Sequence, residues 1–363
     1  MKIYALYLPQ FHKIPENNSW WGEGFTEWVN VKAAKPLFKN HKQPRVPLNE
    51  DYYDLEDADV LKKQFDLARE YGISGFCFYH YWFNGKLLLE KPVEKLLQNK
   101  DIKAEYFFSW ANEPWTRAWD GKTGVVLIPQ EYGKEREWLL HYNYLKDFFI
   151  DPRYLKINNC PVFVIYKTKS IEDLNSMLNY INSLAIKDGF GGIHFIKTNT
   201  QIGEVENRYD FKNTFDFEPL LTFSTPKNIF EKTRYHLRNL VVKINPFGLG
   251  KKFQLSFHYF DRLWRIILNR KIDKNKFLGA FVDWDNTPRK NFRGTVVSNA
   301  SPKKFQNYLT QQIKRSLENN LDILFINAWN EWAEGAYLEP DKKDGLAYLQ
   351  AVKSSLEANG IKV

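Results

Sequence analysis

At 363 residues the chain is long for one open sheet but ordinary for a single α/β barrel, and 44% hydrophobic with 26% charged residues is a packed, not a disordered, composition. Two cysteines exclude a disulfide framework, and no window offers the roughly 20 uninterrupted apolar residues of a membrane span. The formal charge of +9 is local: residues 221–276 hold 13 Lys and Arg against 3 Asp and Glu, so the remainder is close to neutral.

The N-terminal apolar run, Met1 to Leu6, passes straight into Pro9. It is too short for the centre of a signal peptide and no small-residue cleavage site follows, so a cytoplasmic location is expected. Runs rich in β-branched and aromatic residues then recur along the chain. They predict strands at Ile3–Leu8, Gly75–Tyr79, Ala104–Ser109, Val162–Tyr166, Gly192–Lys197, Thr214–Phe217, Leu278–Val282 and Ile323–Asn327. Cys77 and Cys160 sit in such runs and read as small buried hydrophobes. Between the strands, residues 57–71 put Val60, Leu61, Phe65 and Ala68 on one face and stop at Gly72. Ser301-Pro302 is a helix start leading into Phe305–Leu317. Eight strands alternating with helices predict one (β/α)8 barrel over residues 1–363, with 221–276 as a basic insertion before the seventh strand.

Inside that insertion, Leu255–Arg270 carries Tyr259, Phe260, Leu263, Trp264 and Ile267, with Arg262, Arg265 and Arg270 on or beside the other face. The pattern reads either as a basic amphipathic helix able to lie on the inner face of an anionic membrane, or as a surface helix packed on the barrel. Nothing resembles a groove-reading module, so no nucleic-acid partner is expected.

Nearly every proposed strand ends in a polar and aromatic cluster, and in a barrel these ends meet at the face where active sites are built. Ten of the twelve Trp residues (20, 21, 28, 82, 110, 115, 119, 284, 329 and 332) lie in these segments, as flat platforms for a ligand would. Rearranging a glycosidic bond requires one carboxyl to protonate the leaving oxygen and a second to assist at the anomeric centre. Glu331 and Glu334 follow the last strand three residues apart, flanked by Trp329 and Trp332, whose indoles disfavour a carboxylate's charged form. They are the expected catalytic pair. Tyr7, Gln10, Trp21, Trp28, Tyr81, Trp82, Trp110, Asn112, Trp115, Trp284, Asn330 and Trp332 are expected around the sugar. Glu27, Glu113, Glu218 and Asp283 are expected to accept its hydroxyls, with Arg117 as a further contact and His80 either a further contact or a buried, satisfied residue between two Tyr. Asp283-Trp284-Asp285 suggests a metal and nucleotide-sugar site, but no Gly-rich phosphate loop accompanies it. Both aspartates therefore read as sugar-binding or structural, and neither metal nor cofactor is expected.

Tyr7-Leu8-Pro9-Gln10-Phe11-His12, residues 20–28 (WWGEGFTEW), residues 75–82 (GFCFYHYW), Trp110-Ala111-Asn112-Glu113 and residues 327–335 (NAWNEWAEG) together resemble the WbsX-type family. Members of that family accompany bacterial surface-polysaccharide genes and are often labelled glycosyltransferases. The family is similar in turn to glycoside hydrolase family 99, the endo-α-mannosidases, chiefly through the final motif. That resemblance implies a (β/α)8 barrel acting with net retention and without a protein nucleophile. Glu331 would be the base for the sugar's own 2-hydroxyl and Glu334 the general acid, then base. Ala333 stands where the mannosidases usually carry His, so their sugar preference does not carry over. Three functions remain distinct: a retaining glycosidase or transglycosidase acting on surface polysaccharide or lipid-linked glycan, a glycosyltransferase building O-antigen or capsule from an activated donor, and a sugar-binding barrel without activity.

Overall fold

The computed structural model describes residues 1–117, 125–204, 208–226, 254–273 and 275–363. Eight parallel strands form its centre: β1 (Lys2–Tyr7), β2 (Gly75–Phe83), β3 (Tyr106–Trp110), β4 (Cys160–Ile165), β5 (His194–Asn199), β6 (Asn213–Asp216), β7 (Lys276–Phe281) and β8 (Ile323–Asn327). Each pairs with its chain neighbour, and β8 pairs back with β1, which closes the barrel. All eight strands expected from the sequence are present, with ends shifted by a few residues.

Closure demands room. A Cβ on Gly75 would collide with the Glu105 carbonyl oxygen, and one on Gly279 with that of Asp216, so glycine at these positions lets adjacent strands approach. Aromatic rings fill the interior. Phe325 of β8 lies 4.3 Å from Phe215 of β6 and 5.9 Å from Phe107 of β3, centroid to centroid, contacts that non-adjacent strands make only across the barrel axis.

Helices pack outside. α1 (Ala58–Glu70) is capped by Asp57 and follows β1, while α2 (Lys91–Gln98), α3 (Glu135–Ile150) and α4 (Leu174–Lys187) follow β2, β3 and β4. α5 (Phe260–Asn269) precedes β7, α6 (Pro302–Glu318) precedes β8, and α7 (Ala347–Glu357) closes the chain. As the sequence suggested, Ser301 caps α6, its hydroxyl accepting from the Lys304 N–H at 3.4 Å. Among the described residues no helix is long and apolar enough to cross a membrane.

The stretch read as an amphipathic helix over Leu255–Arg270 divides differently. Ser256–Tyr259 is a strand pairing with Thr295–Ser298, and only Phe260–Asn269 is helical. Its apolar face points inward: Phe260, Leu263, Trp264 and Ile267 are buried, and Trp264 stacks on Phe281 of β7 and Tyr308 of α6 at 5.5 and 5.6 Å. Arg270 also turns in, pairing with Asp216 and Glu218. α5 is thus a barrel helix whose apolar stripe is core, so that stripe cannot be laid on a membrane. Seven of the insertion's 13 cationic residues fall in 227–253, outside the described residues, as does Trp119.

Candidate active site

A cavity of about 640 Å³ opens over the C-terminal ends of the strands. That volume suits a ligand of a few sugar rings. Trp21, Trp115 and Trp284 line it with Tyr79, Tyr81, Tyr166, Phe217 and Phe223, and Glu113, Asn286, Lys290, Thr295, Glu331 and Glu334 supply polar groups. Flat aromatic walls with few polar groups suit sugar rings, whose faces are apolar and whose edges carry hydroxyls.

The loop that delivers the two glutamates is held from several sides. After β8, Asn330 clamps it to the end of β1: Oδ1 accepts from the Leu8 N–H at 2.7 Å and Nδ2 donates to the Leu8 carbonyl at 3.0 Å. Residues 332–334 form one 3-10 turn, which places positions three apart on the same side and so turns Glu331 and Glu334 toward one space. Gly335 follows in the left-handed conformation, φ +64°, with Arg45 Nη2 and the Asp285 N–H each 3.0 Å from where a Cβ would stand. Trp332 stacks on Tyr337 at 3.8 Å, and its Nε1–H donates to Glu339 at 2.6 Å. The Asp285 N–H donates to the Glu334 carbonyl at 2.6 Å. The Asp285 carboxylate is fixed in turn by His41 Nε2 at 2.8 Å, Gln43 Nε2 at 2.7 Å and Thr287 Oγ1 at 2.6 Å. Burial would raise its pKa, but the bond to His41, the charge of Arg45 and the Thr287 hydroxyl overcome this and hold it at about 2.

At the centre is one buried guanidinium. Arg289 Nε donates to Glu27 at 2.9 Å, Nη1 to Glu334 at 2.7 Å and Nη2 to Glu331 at 3.0 Å. The catalytic candidates thus bond to adjacent nitrogens of a single planar group, which fixes their relative orientation. One cation against three carboxylates leaves excess negative charge out of water. Burial raises the Glu331 pKa, Arg289 lowers it, and Glu334 and Glu27 raise it again, with a net displacement to about 8. Burial likewise raises that of Glu113 across the cavity.

Of the residues singled out in the sequence, Trp21, Tyr81, Glu113, Trp115, Trp284, Glu331 and Glu334 line the cavity, and the Arg117 guanidinium stands 5.3 Å from the Trp21 ring centre. The others are built into the supporting layer. The Tyr7 hydroxyl donates to Gln64 at 2.6 Å, Gln10 is fully buried, and Trp28 Nε1 donates to the Tyr53 carbonyl at 2.8 Å. His80 meets His141 at 2.9 Å under Trp82 and Trp110, and burial holds its pKa down at about 3, so it is neutral and is no sugar contact. Asn112 exchanges two 2.8 Å bonds with the Lys167 backbone. Glu218 is taken by Thr222 and Arg270, and Asp283 by Arg45 at 2.9 Å. With Asp285 occupied as described, both aspartates of the Asp-x-Asp triplet are engaged inside the protein. Glu27 serves Arg289, and Asn330 and Trp332 hold the loop.

Sequence reasoning missed Arg289 and the cavity-lining Tyr79 and Tyr166. The tyrosines were within reach, since one lies near the end of β2 and the other directly follows β4. Arg289 sits in Thr287-Pro288-Arg289-Lys290, which reads as an ordinary exposed turn. The available signal was indirect: three glutamates among indoles require a cation to neutralise them.

Comparisons with known proteins follow the same line. The pattern of the glycosyltransferase WbsX family matches residues 3–352. The protein WxcX from two strains of Xanthomonas campestris pv. campestris is 35% identical over 358 residues, 98% of this chain. The chain spans about half of those relatives, 49% of their length. Among solved structures, an endo-α-mannosidase of glycoside hydrolase family 99 from Bacteroides thetaiotaomicron aligns with TM-score 0.59 and 13% identity, covering 99% of this chain and 98% of that one. A glycoside hydrolase-like protein aligns with TM-score 0.60 and 12% identity, covering 100% and 94%. Identities this low speak for the shared barrel alone, whereas the match over nearly the whole sequence settles the family: the chain belongs to the WbsX glycosyltransferase family of carbohydrate-active enzymes.

Proposed function

We propose that the chain cleaves or exchanges glycosidic bonds in a surface-polysaccharide or lipid-linked glycan, with net retention. In the first step Glu331 takes the proton of the sugar's 2-hydroxyl as that oxygen attacks the anomeric carbon. The bond to the leaving oxygen breaks as Glu334 gives that oxygen its proton, and a 1,2-anhydro sugar remains. In the second step Glu334 removes a proton from water or an acceptor hydroxyl, which attacks the anomeric carbon, and the 2-oxygen regains its proton from Glu331. The observation that carries this reading is Arg289 holding both carboxylates at the wall of an aromatic cavity of sugar-binding size.

Aryl α-glycosides and cell polysaccharide, incubated in parallel with nucleotide-sugars, test it. Release of the aryl alcohol or of new reducing ends is expected, without nucleotide release. Nucleotide release that depends on an acceptor would instead make the enzyme a synthase using an activated donor.

The role of Glu331 sets the sign of a pH effect. A base acts when ionised, so kcat/KM rises as pH increases through the raised Glu331 pKa, near 8. Glu27 is one of the charges that raise it, and Glu27→Gln should move this acidic limb to lower pH. A limb that stays in place or moves upward in that variant contradicts the assignment.

A further inference from the structure

One buried carboxylate beside the catalytic loop has no part in the mechanism above. Asn330–Glu331 pairs antiparallel with Ala336–Tyr337, and Glu339 follows two residues past the end of that hairpin. Its side chain is buried. Oε1 accepts from Gln64 Nε2 of α1 at 2.7 Å, and Oε2 accepts from Trp332 Nε1 at 2.6 Å and from the Tyr53 hydroxyl at 3.0 Å. Among the described residues no lysine, arginine or histidine forms an ion pair with it. Burying a carboxylate without a cation is costly, and here three neutral donors offset that cost.

The donors share one direction. The Tyr7 hydroxyl of β1 donates to Gln64 Oε1 at 2.6 Å, which turns the Gln64 amide N–H toward Glu339. An indole offers a donor and nothing else. The Tyr53 hydroxyl accepts from Asn330 Nδ2 at 3.3 Å and directs its own proton to the carboxylate. Every bond runs toward Glu339, so the network is complete only around an ionised carboxylate. Both chain neighbours of Glu331 are tied into it, Trp332 directly and Asn330 through Tyr53.

On the reading of Glu331 as the base for the sugar's 2-hydroxyl, we propose that Glu339 is its positioning residue: an anion behind the catalytic loop that fixes, through Asn330 and Trp332, the angle at which Glu331 meets that hydroxyl. Burial pushes the Glu339 pKa up and the donors pull it back, leaving it at about 7. The titratable groups that face it are Tyr7 on β1 and Tyr53 ahead of α1, while Gln64 on α1 and Trp332 on the loop carry no charge. A proton taken up below that pH stands among donors, and the indole cannot turn to accept it. Acidification through about pH 7 therefore removes the orientation of Glu331 in addition to its charge.

Kinetics of the full chain on dinitrophenyl α-glycosides, in the parent, Glu339→Gln, Glu331→Gln and the double variant, test this, with circular dichroism to check folding. At pH 8 Glu339→Gln should lose about tenfold or more in kcat with KM little changed, since misplacing a catalytic group by an ångström costs up to ~10²-fold. In the Glu331→Gln background the same substitution should cost nothing, because no base is left to position. Glu339→Asp, which keeps the charge, should recover part of kcat. Below about pH 7, log kcat/KM of the parent should fall by more than one per pH unit and that of Glu339→Gln by about one. Full kcat in Glu339→Gln, or an equal loss in both backgrounds, overturns the role. Full activity in Glu331→Gln removes the base itself, so the two failures are read on different variants. The indole N–H NMR signal of Trp332, assigned by its loss in Trp332→Phe, reads the contact without turnover and is followed in Glu331→Gln. It should lie far downfield, as a charge-assisted bond does, and move upfield when Glu339→Gln is added. A signal that Glu339→Gln leaves in place overturns the proposal whatever the kinetics.

Discussion

Glu331→Gln and Glu334→Gln should each reduce turnover of an unactivated glycan by about 10²–10⁴-fold, the usual contribution of one positioned acid or base. The two should part company on an activated substrate. A dinitrophenyl leaving group departs without a proton, so the first step of Glu334→Gln recovers on such a glycoside, whereas Glu331→Gln, lacking the base for the 2-hydroxyl, does not. Stability gives a control. The Glu331 carboxyl has a pKa raised from 4.5 to about 8 in the folded protein, so the fold binds its proton more tightly than the unfolded chain does. The stabilisation is present below 4.5 and is lost as pH rises toward 8, where the buried carboxylate ionises. Glu331→Gln has no such loss, and its Tm relative to the parent should climb across that window. An inactive variant that is also less stable at every pH would mean that the glutamate is structural.

Arg289 carries the second large effect. Its side chain is 7% exposed and pairs with three carboxylates, one of them 262 positions away in sequence. Arg289→Met leaves those carboxylates buried without a cation, and stripping one partner from a buried ion pair costs about 3–5 kcal/mol. Urea denaturation should show a loss of that size at a pH above the raised Glu331 pKa of about 8, shrinking as pH falls through it and Glu331 takes up its proton. Arg289→Lys should recover part of the stability but little of the activity. A lysine restores the charge but has no planar fork with which to orient Glu331 and Glu334 side by side. Full activity in Arg289→Lys would remove orientation from the role given to this residue.

The barrel was legible in the sequence because the strands announce themselves locally, as short apolar runs with polar and aromatic ends, and two of the intervening helices carry their own caps, at Asp57 and Ser301. The place of Glu331 and Glu334 in the cavity wall was legible for the same reason, since three residues and two flanking tryptophans carry the signal. Residues whose function depends on tertiary partners were not. Arg289 meets Glu27 across a separation of 262 positions, and no local pattern records such a meeting. The tryptophans mark the limit most clearly. They cluster after strands as platforms would, yet Trp28, Trp82, Trp110, Trp329 and Trp332 are buried in the layer beneath, while Trp21, Trp115 and Trp284 face the cavity. Strand-end position places a side chain on the correct face of the barrel without saying whether a loop will cover it. Amphipathicity left two readings open at α5, because a helix that covers a barrel and one that lies on a membrane share the same stripe.

A structure of the Glu334→Gln variant holding an oligosaccharide of the cell's own surface glycan tests the central claim most directly. The expected result is a sugar ring among Trp21, Trp115 and Trp284, its anomeric carbon facing residues 331 and 334 and its 2-hydroxyl within hydrogen-bond reach of Glu331. A glycan seated outside this cavity, or one whose 2-hydroxyl points away from Glu331, would contradict it.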